Sequence, residues 1–583
     1  MDKLILIPKP QKLQLLEESI FYNGASFHAD RKEIYKYTAD FKSGDTKVVF
    51  KQDSTLTSEA YRLHVNQEGI TIAYGTLEGA FRAVSTFSQL VDQVKEDRMP
   101  CLEMEDSPAI PRRGYLLDIS RGKIPTLKTL KKFADMLSAL KYNEFHLYIN
   151  RFGYQFKNFA RYWKDGNALT PEEIKELDTY CKERFVKLVP NLNSFGHMEA
   201  FTEKEEFKHL AISDAKGNPS HTLNPSLKES LELVDSVFDG LFDSFSADTV
   251  HIGMDETFYV GQGETEEICK QYGVGRVYTD FLNKVLKLVV DKYHKKPMFW
   301  ADIVFKHPEE LNNIPGYSVV MDWNYESEYN WENHCRLLLE KGLSYYVCPG
   351  TSMWSSFTGR HNNAFFNMHS AAVSARDYQA EGYLLTEWGD GGYPQHYSTS
   401  YLPIVFGGAV AWNPDRHVCA FRSELIHDCK YYLDKYIYQI QGTVSLAEIV
   451  FRMGNYYLLE KELFNNMTLC SFYLHNPEYM TEADRMPMKR VISYMEELEK
   501  ELDEVTADPW IIKAIWNNCQ MVILFTKMQR GDAVSKEEVT LLKEDFLRIW
   551  NKENKPYIEE KNAFLKYIDA IYQRYSCFPL LNQ

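Results

Sequence analysis

GYLLDIS (114–120) opens the series that decides the fold: a short continuous apolar run, then a helical stretch, then another run. The pattern returns as EFHLYI (144–149), VKLVPNLN (186–193), TVHIGMDE (249–256), KPMFWADI (296–303), YSVVMDW (317–323), LSYYVCPG (343–350) and GYLLTEWGD (382–390). Continuous apolar strands separated by helices imply parallel strands buried on both faces. A doubly wound open sheet would alternate in the same way. About eight strands over a span near the ~250 residues typical of the closed form favour a (β/α)8 TIM barrel, whose active site lies at the C-terminal ends of the strands. Those ends carry Asp118 and Ser120, Asn150, Asn193, Asp255 with Glu256, Trp300 with Asp302, Asp322 with Trp323, and Trp388 with Asp390. Loops begin at strand ends, which accounts for an Asp or an Asn. Three tryptophans at equivalent ends point instead to a pocket for a hydroxyl-rich ring.

Outward from the barrel the pattern changes on both sides. Residues 1–108 alternate short apolar runs with turns, KVVFK (47–51), AYRLHV (60–65) and GITIAYG (69–75), and add one amphipathic helix over about 77–92 with Leu77, Phe81, Val84, Phe87 and Leu90 at helical spacing. This reads as a small N-terminal α+β domain. Pro108, Pro111 and Arg112–Arg113 mark its boundary, which places the barrel at 109–418. Residues 419–583 read as helices, with Pro509 at a helix start. This C-terminal all-helical domain would either bury a homodimer interface or shape the pocket's rim.

Composition removes several function classes. The 583 residues carry 66 Lys+Arg against 82 Asp+Glu, and a net charge of −16 repels phosphate backbones, so no nucleic-acid partner is expected. Aromatic residues reach 14%, which suits sugar stacking and core filling alike. The ten cysteines form no CxxC and no zinc spacing, so free thiols and no metal site are expected. MDKLILIPKPQ (1–11) has too short an apolar stretch for a signal peptide, and nowhere do 18 uninterrupted apolar residues occur, so no membrane span is expected. The chain reads as cytoplasmic, or as a periplasmic form whose export signal has been removed. GVGR (273–276) and GQG (261–263) lack a phosphate-binding context, and no Walker, Rossmann or HExxH pattern occurs, so no cofactor is expected. The sequon NMT (466–468) is discounted as part of a helical stretch.

A lone Asp–Glu pair means little, since Asp503–Glu504 is another within an ordinary helix. Asp255–Glu256 differs in ending the fourth apolar strand, where a turn can send both side chains to one pocket. Adjacent carboxylates repel, so one tends to keep its proton to higher pH, and that split suits glycoside cleavage.

HIGMDE (251–256) resembles the HxGxDE signature of glycoside hydrolase family 20, the β-N-acetylhexosaminidases. RRGYLLDISR (112–121), KYNEFHLYI (141–149), NSFGHMEAF (193–201), FWADI (299–303), PGTSMW (349–354), LLTEWGD (384–390) and GGAVAW (407–412) agree in order, and LIPKPQKL (6–13) with LEGAFRAVSTFSQLV (77–91) resembles the small domain that precedes the barrel. The PGTSMW and WGD forms are similar to a bacterial branch with a helical C-terminal domain. The resemblance implies an exo-β-N-acetylhexosaminidase acting on terminal β-linked GlcNAc or GalNAc of a glycan by substrate-assisted, retaining catalysis. By match, Glu256 is the general acid and Asp255 orients the acetamido group. Arg113 grips the ring hydroxyls, and His197 hydrogen-bonds the acid. Trp354, Trp388 and Trp412 form an aromatic box, Asp390 meets the outer hydroxyls, and the Trp388 indole replaces a tyrosine that bonds the acetamido oxygen in many members. Two departures stand out: Asn150–Arg151 replaces a carboxylate of the histidine relay, and Pro414 replaces the glutamate of a Trp-x-Glu, with Asp415 beside it. They leave open an altered sugar specificity or a non-catalytic glycan-binding protein. His251 reads as a structural strand histidine and Arg121 as an ion-pair partner. Tyr393 and His396 stand between pocket wall and ordinary loop.

Overall fold

A computed structural model describes residues 4–163, 167–414, 418–560 and 562–576. The N-terminal sheet has the order β1-β6-β4-β5-β3-β2, from strands β1 (Lys12–Phe21), β2 (Ala25–Ala29), β3 (Thr46–Gln52), β4 (Tyr61–Asn66), β5 (Gly69–Tyr74) and β6 (Arg98–Asp106). Alternation decides its faces: Val48, Phe50, Leu63, Val65, Ile70 and Ile72 are buried, with exposed or half-buried residues between them. The helix Leu77–Val91, capped by the Thr76 hydroxyl accepting from the Glu78 N–H, lays Ala80, Ala83, Val84, Phe87 and Leu90 onto this core. Phe81 faces elsewhere, its ring 5.3 Å from Phe185 of the barrel.

The eight apolar runs form the closed parallel barrel: β7 (Arg112–Asp118), β8 (Glu144–Tyr148), β9 (Lys187–Asn191), β12 (Thr249–His251), β13 (Lys296–Trp300), β14 (Val319–Trp323), β15 (Ser344–Cys348) and β16 (Gly382–Glu387), with β16 closing against β7. A small hairpin, β10 (Ala211–Ser213) and β11 (Pro219–Leu223), stands outside it. The helix Tyr397–Trp412 follows the last strand and is buried along its whole length. Helices then run through the C-terminal region, the longest being Pro509–Arg530. Among the described residues no helix is long and apolar enough to cross a membrane.

At the base of the barrel a buried polar network joins it to the N-terminal sheet. Arg113 gives its guanidinium N–H groups to the carbonyls of Lys141, Ile110 and Pro111 and to the Glu59 carboxylate. Asp106 accepts from Lys141 Nζ at 2.8 Å, from the Tyr61 hydroxyl and from the Trp412 indole N–H at 2.8 Å. Arg113 and Lys141 both lie over the Trp412 ring, at 4.9 and 4.4 Å.

Candidate active site

β12 holds the ladder for three residues only, ending at His251. The chain then turns through Gly253 (φ 73°), Met254 (φ 83°) and Glu256 (φ 50°), all in the left-handed region. Gly253 is obligatory at this turn, because a Cβ there would sit 2.1 Å from Asn193 Oδ1. The turn breaks strand alternation and brings Asp255 and Glu256 to the same side. His197, itself left-handed at φ 51°, places Nε2 3.3 Å from Asp255 Oδ2 and 3.1 Å from Glu256 Oε2. Burial disfavours its cation, but the Asp255 and Glu256 carboxylates outweigh burial and push the imidazole up to about 10. The bond from His197 in turn holds the Glu256 carboxyl below the ordinary range.

The proton that two neighbouring carboxylates were expected to share sits differently. Asp302, at the end of β13, accepts the Glu256 backbone N–H through Oδ2 at 3.1 Å, and burial with the nearby Asp255 charge pushes its carboxyl up to about 7. Asp255 Oδ1 and Asp302 Oδ1 are buried without a hydrogen-bond partner among the described residues. The ligand atoms of His197, Asp255 and Glu256 lie within 4.8 Å of one another, close enough to share a cation. A cation there would have to displace the proton that the two carboxylates favour on the imidazole.

Over this trio stand aromatic side chains from four strand ends and the loop after β15. Tyr148 meets Trp388 edge-on at 5.0 Å, Trp388 lies 6.0 Å from Trp300, Tyr325 stacks on Trp323 at 5.3 Å, and Trp354 meets Tyr325 edge-on at 4.9 Å. Gly350 lets the last two approach the backbone: a Cβ there would lie 2.5 Å from Trp354 and 2.7 Å from Tyr325. The Trp388 indole N–H goes to the Tyr325 hydroxyl at 2.8 Å, so Tyr325 supplies a pocket tyrosine and Trp388 does not take its place.

Two expected site residues lie elsewhere. Arg113 and Trp412 are locked in the basal network, at the opposite end of the barrel from Glu256. Arg113 sits near the start of β7 and Trp412 at the far end of the helix that returns from the site. The arginine at the pocket is Arg121, just past the end of β7. It pairs with Asp118, lies 3.2 Å from Asp390 Oδ1, and stacks over Tyr148 and Trp388 at 5.3 and 5.4 Å. Asp390, its side chain 39% exposed, stands at the mouth two residues after Trp388. The Pro414 departure is basal too, its carbonyl accepting from Arg376; Asp415 lies outside the described residues.

Asn150 does not leave His197 short of negative charge. Asn150 Nδ2 donates to the His197 carbonyl at 3.0 Å, while Arg151 pairs with Glu199 at 2.9 Å, and Glu199 adds to the field that keeps the imidazole protonated. His251 is buried in the strand, its Nδ1 accepting from the Gly253 N–H at 3.0 Å. Tyr393 packs on Lys123 at 4.3 Å and His396 bonds Asn517 of the C-terminal helices at 2.9 Å, so neither lines the pocket. Tyr148 and Tyr325 were missed because aromatic residues at strand ends look like core; Glu199 follows FGHM in a short helix and carries no periodic signal.

The catalytic-domain model of glycosyl hydrolase family 20 matches residues 111–383, and the model of that family's domain 2 matches residues 3–107. The chain is similar to a beta-hexosaminidase of Akkermansia muciniphila, 32% identical over 227 residues that make up 35% of this chain and 46% of that protein. It is also similar to beta-hexosaminidase subunit beta of Rattus norvegicus, 27% identical over 296 residues, 48% of this chain and 54% of that one. It thus spans about half the length of the curated relatives it matches. Among solved structures it is similar to Flavobacterium johnsoniae chitobiase, with TM-score 0.62 at 16% identity over 98% of this chain and 99% of that one. A β-N-acetylhexosaminidase from Bacteroides fragilis gives TM-score 0.59 at 18% identity over 74% and 96%. At such identities the likeness is one of fold, and the first extends it through the helical region.

Proposed function

The chain belongs to glycosyl hydrolase family 20, and from that premise we propose that it is an exo-β-N-acetylhexosaminidase, removing terminal β-linked GlcNAc or GalNAc from a glycan through an oxazolinium intermediate. One observation carries the reading: Asp255 and Glu256 turn together under an aromatic enclosure, with a protonated imidazole bonded to both. Asp255 Oδ1, buried and unpartnered, is the acceptor for the acetamido N–H. Tyr325 accepts from Trp388 and so keeps its own proton to donate to the acetamido oxygen, which attacks the anomeric carbon. Glu256 protonates the leaving oxygen, then takes a proton from the water that opens the oxazolinium. Two inversions leave the β configuration unchanged.

The proton rests on His197 rather than on Glu256. A bound sugar excludes water from Glu256, which raises its proton affinity, and His197 Nε2 at 3.1 Å is the adjacent source. Arg121, held by Asp118, presents its guanidinium to the ring hydroxyls beside Asp390.

The test is hydrolysis of chromogenic β-GlcNAc, β-GalNAc and β-galactoside, with and without a thiazoline mimic of the intermediate. Release from the N-acetyl sugars alone, blocked by the thiazoline, is expected. Release from the galactoside at a comparable rate would defeat the substrate-assisted reading. Thiazoline binding without any release would make the pocket a glycan receptor.

A further inference from the structure

The loop that carries Trp354 is held from outside the barrel. Ser352 (φ 54°), Ser355 (φ 51°) and Phe357 (φ 66°) flank the tryptophan in the left-handed region, a conformation that costs about 1–3 kcal/mol at each non-glycine residue and persists only where surroundings over-determine it. Part of those surroundings comes from residues 453–468. The Thr468 N–H donates to the Ser355 carbonyl at 3.1 Å, the Tyr456 hydroxyl to the Ser356 carbonyl at 3.2 Å, and the Thr358 hydroxyl to the Met453 carbonyl at 3.0 Å. Arg360 grips both Glu326 oxygens, at 2.9 and 3.0 Å, and also donates to the Phe464 carbonyl at 3.1 Å.

At the centre of this clamp, Asn466 Oδ1 accepts the Trp354 indole N–H at 2.8 Å while its backbone N–H donates to Glu326 Oε1 at 2.6 Å. Asn466 is itself left-handed at φ 63°, a conformation that asparagine tolerates better than most residues. It stands in a loop rather than in a helix, with its amide engaged against the pocket wall, so its place in the NMT sequon is not a free attachment point.

We propose that Asn466 is a positioning residue for the reaction: from the helical region it holds the Trp354 ring as a wall of the sugar pocket. This rests on the reading of that pocket given above. With its N–H engaged by Asn466, Trp354 offers the substrate a ring face and not a donor, and recognition of the sugar depends on a segment more than a hundred residues away from the loop it steadies.

The test compares Asn466→Gly, which keeps the backbone conformation and deletes the acceptor, with Asn466→Asp, which keeps the acceptor, alongside Trp354→Phe and the Trp354→Phe/Asn466→Gly double variant. Chromogenic β-GlcNAc supplies KM and kcat, and the Trp354 indole N–H resonance, identified by its loss in Trp354→Phe, reports the bond itself. Asn466→Gly should raise KM about tenfold with a smaller fall in kcat and should shift the indole resonance. Asn466→Asp should recover most of the KM, and the double variant should be no worse than Trp354→Phe within about twofold. An Asn466→Gly enzyme with wild-type KM, an unmoved indole resonance, or losses that multiply in the double variant would overturn the proposal and leave the hydrolase reading standing. A wild-type chain inert on every N-acetyl sugar would overturn the hydrolase reading and the positioning role together.

Discussion

The two ends of the barrel are built from the same chemistry. At the base an arginine lies over a tryptophan beside buried carboxylates: Arg113 and Trp412, with Glu59 and Asp106. At the mouth Arg121 lies over Trp388, beside Asp118 and Asp390. The difference is in what is left over. In the basal network none of these side chains has a buried polar atom without a partner, so it is a fastening with nothing to offer a ligand. At the mouth, Asp255, Asp302, Asn193 and Trp300 each bury an atom with no partner among the described residues, and Glu256 and Asp390 stay more than a third exposed. Between these two clusters, unspent hydrogen-bonding capacity separates pocket from lock, whereas residue type is shared by both.

The contrast can be broken most forcefully at Glu256. Glu256→Gln should cost about 10²–10⁴-fold in kcat while the thermal unfolding curve stays in place; a melting shift with retained turnover would exchange the roles of the two ends. Next in size is the basal counterpart. Lys141→Met leaves Asp106 buried without its cation and should cost about 3–5 kcal/mol in denaturant unfolding, with kcat per folded molecule unchanged. Asp302 tests the mouth's latent strain. Its carboxyl stands at about 7 in the folded protein and near 3.9 in the unfolded chain, so folding loses stability as pH rises between those values and bears the full cost above 7. Asp302→Asn should therefore stabilise the protein by about 4 kcal/mol at pH 8, and the gain should vanish near pH 4 in parallel urea titrations. The smallest effect sharpens the comparison ring for ring: Trp412→Phe should cost about 1 kcal/mol without touching KM, and Trp388→Phe should raise KM without moving the melting temperature.

The barrel was legible because strands buried on both faces must read as unbroken apolar runs, and all eight quoted runs became strands of the closed sheet. The same reasoning found Asp302 and Trp300, since parallel topology carries every strand's C-terminal end to one mouth. Arg121, read from sequence as an ion-pair partner, lies at that same mouth. RRGYLLDISR has arginines on both sides of one strand, and only the strand's direction tells them apart. At about 3.3 Å per residue Arg113 and Arg121 are separated by most of the barrel's height, and matching by motif chose the wrong one. The clamp on Trp354 was not legible. Asn466 meets it across a sequence separation of 112, and no local periodicity records such a contact.

The helix Tyr397–Trp412 spans both of the ends compared above. It has no solvent-exposed face, because all sixteen of its residues are buried. Its outer side is covered by the C-terminal helices: Asn518 accepts from the His396 N–H at its entrance, Asn554 accepts from the Tyr397 hydroxyl, and the Tyr438 hydroxyl donates to the Ser398 carbonyl. For protein engineering this makes the barrel a poor unit to cut out. A gene shortened at its edge would express a protein with a greasy seam along its flank, so solubility, rather than catalysis, is where trimming would first be felt.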